Sequence, residues 1–330
     1  MSRSRRAGWV VRLATFGISC AGLTAVAPAS AHIVSDREVR ILAAFPVSLA
    51  RRTQLEDAPD ASGFCGVNRS PGTFRVSAQV PALRALSEAA ARRDSLEAEH
   101  CWLAIQQALV MQRPGGRFER IENGAPQDTL LAWEDAVPWL AALNRAVAVV
   151  MNGPLQNQFR FRWALLRPKL ERSMNGLLAI APALERRAKV DPVKLLDLSE
   201  AMLLADGHYH VPAYGLAGQR ALSAALPLQK SDGSFASRPD GRLAYDARCL
   251  SAIEGINLYF PGPFLDRVAN RLAPALEESL AAPGPRTGSP EGATPARRLA
   301  QRTLAIRAGR IALGPAPSSV MHPEGEATPR

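Results

Sequence analysis

Helical periodicity that sets in at Ser77 and continues for roughly two hundred residues is the feature that most restricts this chain. Alanine, leucine and arginine fill the periodic stretch, and the β-branched residues that suit strands are thin. The pattern predicts helices over 79–93, 95–112, 129–151, 158–187, 192–205, 212–229, 243–259 and 263–281. Pro81, Pro192 and Pro212 fall at first-turn positions, where a missing N–H costs nothing. With 47% apolar and 21% charged residues the chain has enough apolar surface to fold, so wholesale disorder is excluded. A sandwich, a barrel and a Val/Ile-rich parallel sheet are excluded as well, which leaves an all-α class.

The flanks read differently from the middle. Residues 1–31 have the anatomy of a secretory signal: a basic start with Arg3, Arg5, Arg6 and Arg12, an apolar run from Leu13 to Val26, and the small-residue site Ala29-Ser30-Ala31. Ser4-Arg5-Arg6 adds a hint of twin-arginine export. The expectation is cleavage after Ala31 and a periplasmic or secreted protein, with no integral membrane segment afterwards. Loss of those arginines lowers the formal charge from +10 to +6, so the basic balance says less about partners than it first suggests. Residues 32–76 are punctuated by Gly63, Gly66, Pro71 and Gly72 and read as a loop-rich segment, ordered only near Val39–Ala43. Residues 283–295 have linker composition, and 296–312 read as a solvated basic tail helix carrying Arg298, Arg302 and Arg310. The domain therefore runs over 77–282, between a loop-rich segment and a flexible tail.

In an oxidising compartment Cys65, Cys101 and Cys249 remain after Cys20 leaves with the signal. An odd number predicts one disulfide and one buried thiol, and Cys65 with Cys101 is the better pair. No Cys-x-x-Cys or Cys/His spacing marks a zinc site, so no metal is expected.

A weak internal echo carries the next step. Leu109, Gln112, Gly116 and Phe118 repeat as Leu226, Gln229, Gly233 and Phe235, with Asp206-Gly207-His208-Tyr209 as a partial third copy. Each falls where one helix stops and another is about to begin, which predicts a curved or closed stack of helical hairpins. The run Gln229–Phe235, followed by Gly241-Arg242-Leu243-Ala244-Tyr245, resembles the α/α-toroid polysaccharide lyases, particularly the periplasmic alginate lyases. That resemblance implies an α/α toroid, an incomplete barrel of hairpins, acting on an acidic polysaccharide and needing no cofactor. In that family an Asn-Asn-His-x-Tyr-Trp element supplies the catalytic histidine, and its counterpart here is Asp206-Gly207-His208-Tyr209-His210.

The residues themselves point the same way. All four tyrosines lie within 209–259, together with His208, His210, Arg242 and Arg248. β-Elimination from a uronate needs a cation on the sugar carboxylate, a base at the neighbouring carbon and an acid at the departing oxygen. His208 is cast as base or neutraliser, Tyr245 as acid with base as its second role, and Arg242 as the carboxylate clamp. His210, Tyr214, Arg248 and Trp133 are cast as substrate-binding residues, Trp133 by stacking on a sugar ring.

Rival readings stay open. A glycoside hydrolase would draw on Glu134, Asp135, Asp206, Asp232, Asp246 and Glu254, yet their spacing selects no pair. No Gly-x-Ser-x-Gly, Walker or Rossmann pattern is present, and nucleic acid is disfavoured by export. The main alternative is a non-catalytic, monomeric helical-repeat protein that binds or scaffolds exopolysaccharide or a protein partner. A catalyst would bring His208, Arg242 and Tyr245 into one cleft; a scaffold has no reason to.

Overall fold

The computed structural model describes residues 31–46, 58–235, 242–282 and 290–314. The signal-peptide reading falls on residues outside these. The described residues form ten α-helices and one two-stranded ribbon, so the protein is all-α. The helices are α1 (Ala31–Ala43), α2 (Val80–Ala91), α3 (Ser95–Val110), α4 (Thr129–Asn152), α5 (Gln156–Arg187), α6 (Pro192–Tyr209), α7 (Pro212–Ala225), α8 (Arg242–Tyr259), α9 (Pro263–Ala281) and α10 (Pro290–Ala312).

Local chemistry sets the helix ends. Asp94 caps α3 by accepting from Glu97 N at 3.1 Å, and Asp128 caps α4 by accepting from Leu130 N at 2.6 Å. Asp191 does the same for α6 through Lys194 N, with Pro192 in the first turn. At its other end α6 stops where His210 takes the left-handed conformation, φ 56°. It thus runs through Tyr209 rather than ending near 205. α7 is shorter than expected, because Leu226–Leu228 tightens into a 3-10 turn.

Packing follows a simple alternation. α2, α4, α6, α8 and α10 pack side by side in that order, while α3, α5, α7 and α9 lie outside, each against the helix before it. Between α10 and α2 the succession is bridged by Arg302, whose Nε lies 2.6 Å from Glu88 Oε1. α1 packs against α2, α4, α8 and α10 together and buries Ile41 and Leu42 among Ala91, Leu204, Leu258 and Ile306. Two expected flanks are corrected here. The segment before residue 77 contributes a packed helix, and the supposed flexible tail contributes an inner one.

The error over α10 has a physical reason. Apolar spacing places Ala300, Leu304, Ala308 and Ile311 on one side, but Ile311 is exposed while Ala300, Thr303, Ile306, Arg302 and Arg307 are buried. Arginine turns inward because acids wait for it. Glu254 receives Arg307 Nη1 at 2.7 Å and Arg310 Nε at 2.6 Å, just as Glu88 receives Arg302.

The internal echo is real, with one copy misplaced. At Gly116 the N–H donates to Arg113 O at 2.9 Å and Arg113 N to Arg117 O at 2.7 Å; at Gly233 the matching bonds, to Lys230 and Ser234, are 3.0 and 2.8 Å. Both glycines have positive φ, 80° and 85°. Phe118 and Phe235 are buried two residues later. Asp206–Tyr209 lies inside α6 and makes no such turn. The third copy is Asp60–Cys65: Asp60 N donates to Phe64 O and Gly63 N to Asp60 O, both at 2.9 Å, with Gly63 at φ 85°. Cys65 occupies the place of the phenylalanine. Each turn precedes an inner helix, and each glycine lies against a carbonyl of an outer one: Leu103, Arg172 and Arg271.

Cys65, Cys101 and Cys249 are all buried thiols, so the expected Cys65–Cys101 disulfide is not formed. Cys65 packs with Ala82 and Ala104, and the Cys101 thiol donates to Glu97 Oε1 at 3.5 Å.

At Gly233 an added Cβ would sit 2.1 Å from Arg271 O, whereas at Gly115 it would meet nothing within 4 Å. Gly233→Ala is expected to cost about 2 kcal/mol or more and Gly115→Ala under ~1 kcal/mol, read as shifts in urea midpoint. Truncation before Pro290 would orphan Glu88 and Glu254 in the interior. Each loss costs roughly 3–5 kcal/mol, so the shortened chain should show no cooperative thermal transition.

Candidate functional site

The inner helices border a cavity of about 710 Å³, within the range of small-ligand sites. Each supplies residues to its lining: Arg84 and Ser87 from α2, Glu134 and Pro138 from α4, Lys194 and Asp197 from α6, Tyr245 and Arg248 from α8, Ala296 and Leu299 from α10. α1 contributes Glu38, which lines the cavity with Arg145, Glu200 and Arg302.

Charge inside the cavity is dense and mostly paired. Arg145 Nε donates to Glu38 Oε1 at 2.5 Å, and Tyr259 Oη donates to Glu38 Oε2 at 2.8 Å. Glu200 stands on the other side of the guanidinium, its Oε1 3.6 Å from Arg145 Nη1 and without a hydrogen bond. One cation between two acids favours the nearer acid. Burial pushes the Glu200 carboxyl up to about 8, against the pull of Arg145, so it is protonated at neutral pH. The same acids hold the Arg145 pKa above its ordinary value despite burial. The Glu200 carboxyl rests on α8 at Gly255, where an added Cβ would lie 1.9 Å from Oε1.

Nearer the helix starts, Glu134 bridges Arg187 Nε at 2.8 Å and Lys194 Nζ at 3.2 Å. Ser77 donates through both backbone N–H and hydroxyl to Asp135. Arg248 Nη2 lies 2.5 Å from Asp197 Oδ2, and Asp197 raises the guanidinium pKa while burial raises that of Asp197 itself. Arg248 and Lys194 keep 45% and 43% of their side chains exposed, so both can still reach a ligand. Tyr245 Oη donates to Asp191 Oδ1 at 2.9 Å. Burial and the Asp191 carboxylate hold the phenol pKa above its usual range, which keeps the proton in place and makes the group a weak acid.

Of the residues singled out in the sequence, Tyr245 and Arg248, the rival carboxylates Glu134 and Asp135, and Arg302 of the tail helix line this cavity. The other residues cast for catalysis or substrate binding do not. His208 is on the last turn of α6, and its Nε2 is 2.7 Å from Asn144 O. Burial lowers its pKa, so the ring is neutral. Tyr245 is tied to Asp191, the cap at the opposite end of α6, and seventeen residues of helix rise place the two ends about 25 Å apart. His208 and Tyr245 cannot serve one bond. Arg242 pairs with Asp232 and Asp246, and Asp246 accepts from Phe235 N at 2.9 Å, so this arginine braces the turn at Gly233. His210 is the exposed left-handed cap of α6. Tyr214 is buried with its hydroxyl donating to Asn175 Oδ1 at 2.6 Å, and Trp133 is core. Asp206, Asp232, Asp246 and Glu254 also lie outside the cavity lining.

Sequence reasoning passed over Asp191, Lys194, Asp197 and Glu200. Their three-residue spacing along the otherwise apolar Pro192–Leu204 stretch was the available signal: a polar stripe on a helix apolar all round marks a face turned to an internal site. Among the described residues no cluster of three or more His, Cys, Asp or Glu is gathered for a metal ion, and no helix is long and apolar enough to cross a membrane.

Fold and cavity together define a helical-hairpin protein with a polar, charge-paired internal site. Comparison with family models, with curated proteins and with solved structures returns no match.

A carboxyl whose pKa is raised on folding takes up protons in the native state, so its contribution to stability falls as pH rises from the unfolded value toward 8. Glu200→Gln removes that dependence. The variant should exceed the parent in urea midpoint at pH ~8.5 and converge with it near pH ~4.5. A constant gap at both pH values would contradict a protonated Glu200.

Proposed function

We propose that the protein is an exported binding protein whose central cavity holds the anionic end of an acidic saccharide. The observation that carries this reading is the convergence of all five inner helices on a cavity bearing half-exposed Arg248 and Lys194. Preset cations favour a carboxylate, and Tyr245 offers a flat face and a hydroxyl for a sugar ring. Arg248 is already held by Asp197, so a ligand carboxylate meets a guanidinium fixed in place. The alternation of inner and outer helices supports the curved or closed stack expected from the echoed turns, and with it the toroid that the lyase resemblance implies. Separation of His208 from Tyr245 favours binding over the three-residue lyase site.

A second reading is β-elimination, with Tyr245 protonating the departing oxygen and the Glu134 carboxylate taking the proton from the carbon beside the sugar carboxylate, favoured by the place of both in the same cavity as Arg248.

Both are tested on the chain from His32 to Arg330. Calorimetric titration with short oligouronates should show saturable binding that neutral oligosaccharides lack. Lys194→Gln should weaken it about fivefold, and Arg248→Gln more strongly. Absence of uronate binding, or affinity indifferent to both substitutions, would overturn the binding reading. The ultraviolet absorbance of an unsaturated uronate product, followed in the same samples, decides the second: a rise abolished by Tyr245→Phe establishes lyase activity, and a flat trace removes it for those substrates.

A further inference from the structure

We propose that the outward stripe of α5 docks on an anionic lipid surface. α5 is the longest helix described, 32 residues, and its stretch from Gln156 to Leu170 carries Arg160, Arg162, Arg167 and Lys169 with no acid. Phe161 and Leu165, one turn apart, are 73% and 61% exposed. A third apolar side chain joins them. Leu96, 85% exposed, starts α3 beside the beginning of α5, where Ser95 Oγ donates to Gln158 Oε1 at 3.0 Å and Glu99 accepts from Gln158 Nε2 at 2.6 Å.

The arrangement has an apolar centre and cationic margins. Arg162 and Arg167 are engaged by Glu99 and Glu171, while Arg160, Lys169 and Arg172 are exposed on the same outer surface. Phe and Leu side chains enter the boundary between headgroups and acyl chains, and flanking Arg and Lys meet phosphates at its surface. Charge complementarity thus selects an anionic bilayer. A protein partner is disfavoured by area, since a few side chains fall far short of the roughly 1,000 Å² that a specific protein interface needs. This surface lies on an outer helix, independent of the cavity.

The experiment is co-sedimentation of the chain from His32 to Arg330 with vesicles of phosphatidylglycerol and phosphatidylcholine, against phosphatidylcholine alone. Binding to the anionic vesicles only, weakened by salt, is expected. The double substitution Phe161→Ser and Leu165→Ser should reduce partitioning roughly tenfold with an unchanged thermal midpoint, because both positions are exposed. Leu96→Ser, on the neighbouring helix, should give a smaller loss. Failure to bind anionic vesicles, or equal sedimentation of parent and double variant, overturns the proposal. So does a dimer on gel filtration that the double variant converts to monomer, since the stripe's occupant would then be a second copy of the chain.

Discussion

Buried acids that are tolerable only beside an arginine from another helix hold this architecture in register. Glu38, Glu88 and Glu254 are all but sealed from solvent, and each meets a guanidinium far away in the chain: Arg145, Arg302, and Arg307 with Arg310. An isolated carboxylate in such a place would be prohibitive, so every helix that contributes one half of a pair is committed to the position of the other. The apolar inner faces are much less selective. They are rich in alanine, a small side chain that packs acceptably at many offsets. Apolar burial drives the helices together, and the ion pairs decide which neighbour each one takes.

That division explains what was legible in the sequence. Helix existence followed from apolar periodicity, which is why α2 through α9 were readable within a few residues. α10 was misread because its inner face is built from Arg302 and Arg307, residues that a hydrophobic pattern assigns to solvent. α1 was missed beyond its last residues since one turn of apolar spacing gives little signal. The repeat was recognised through its phenylalanines, so the copy ending in Cys65 went unnoticed and a helical Asp-Gly pair was taken instead. At the site, clustering in the chain was a poor guide to clustering in space. His208 sits at one end of α6 while Tyr245, from the same cluster in the chain, is bonded to the cap at the other end, and the stripe from Asp191 to Glu200 faces the cavity.

The cavity gains its character from competition among charges rather than from any single group. Arg145 cannot satisfy Glu38 and Glu200 equally, and the loser keeps its proton. Asp197 and Asp191 in turn fix Arg248 and the Tyr245 hydroxyl. The groups nearest the helix starts are thus already oriented, so little conformational entropy remains to be lost when something binds there.

The packing of α1 onto α10 ties the earliest described helix to the last. Gly309 lies close against Ile41, and the Arg37 guanidinium bonds Arg310 O and Gly314 O. A chain emerging N-terminus first would carry Glu88 and Glu254 without their arginines until α10 was present. The last described helix thus completes pairs whose other halves lie more than two hundred residues earlier in one case and about fifty in the other, and closing such long loops makes folding slow relative to a bundle of neighbouring hairpins.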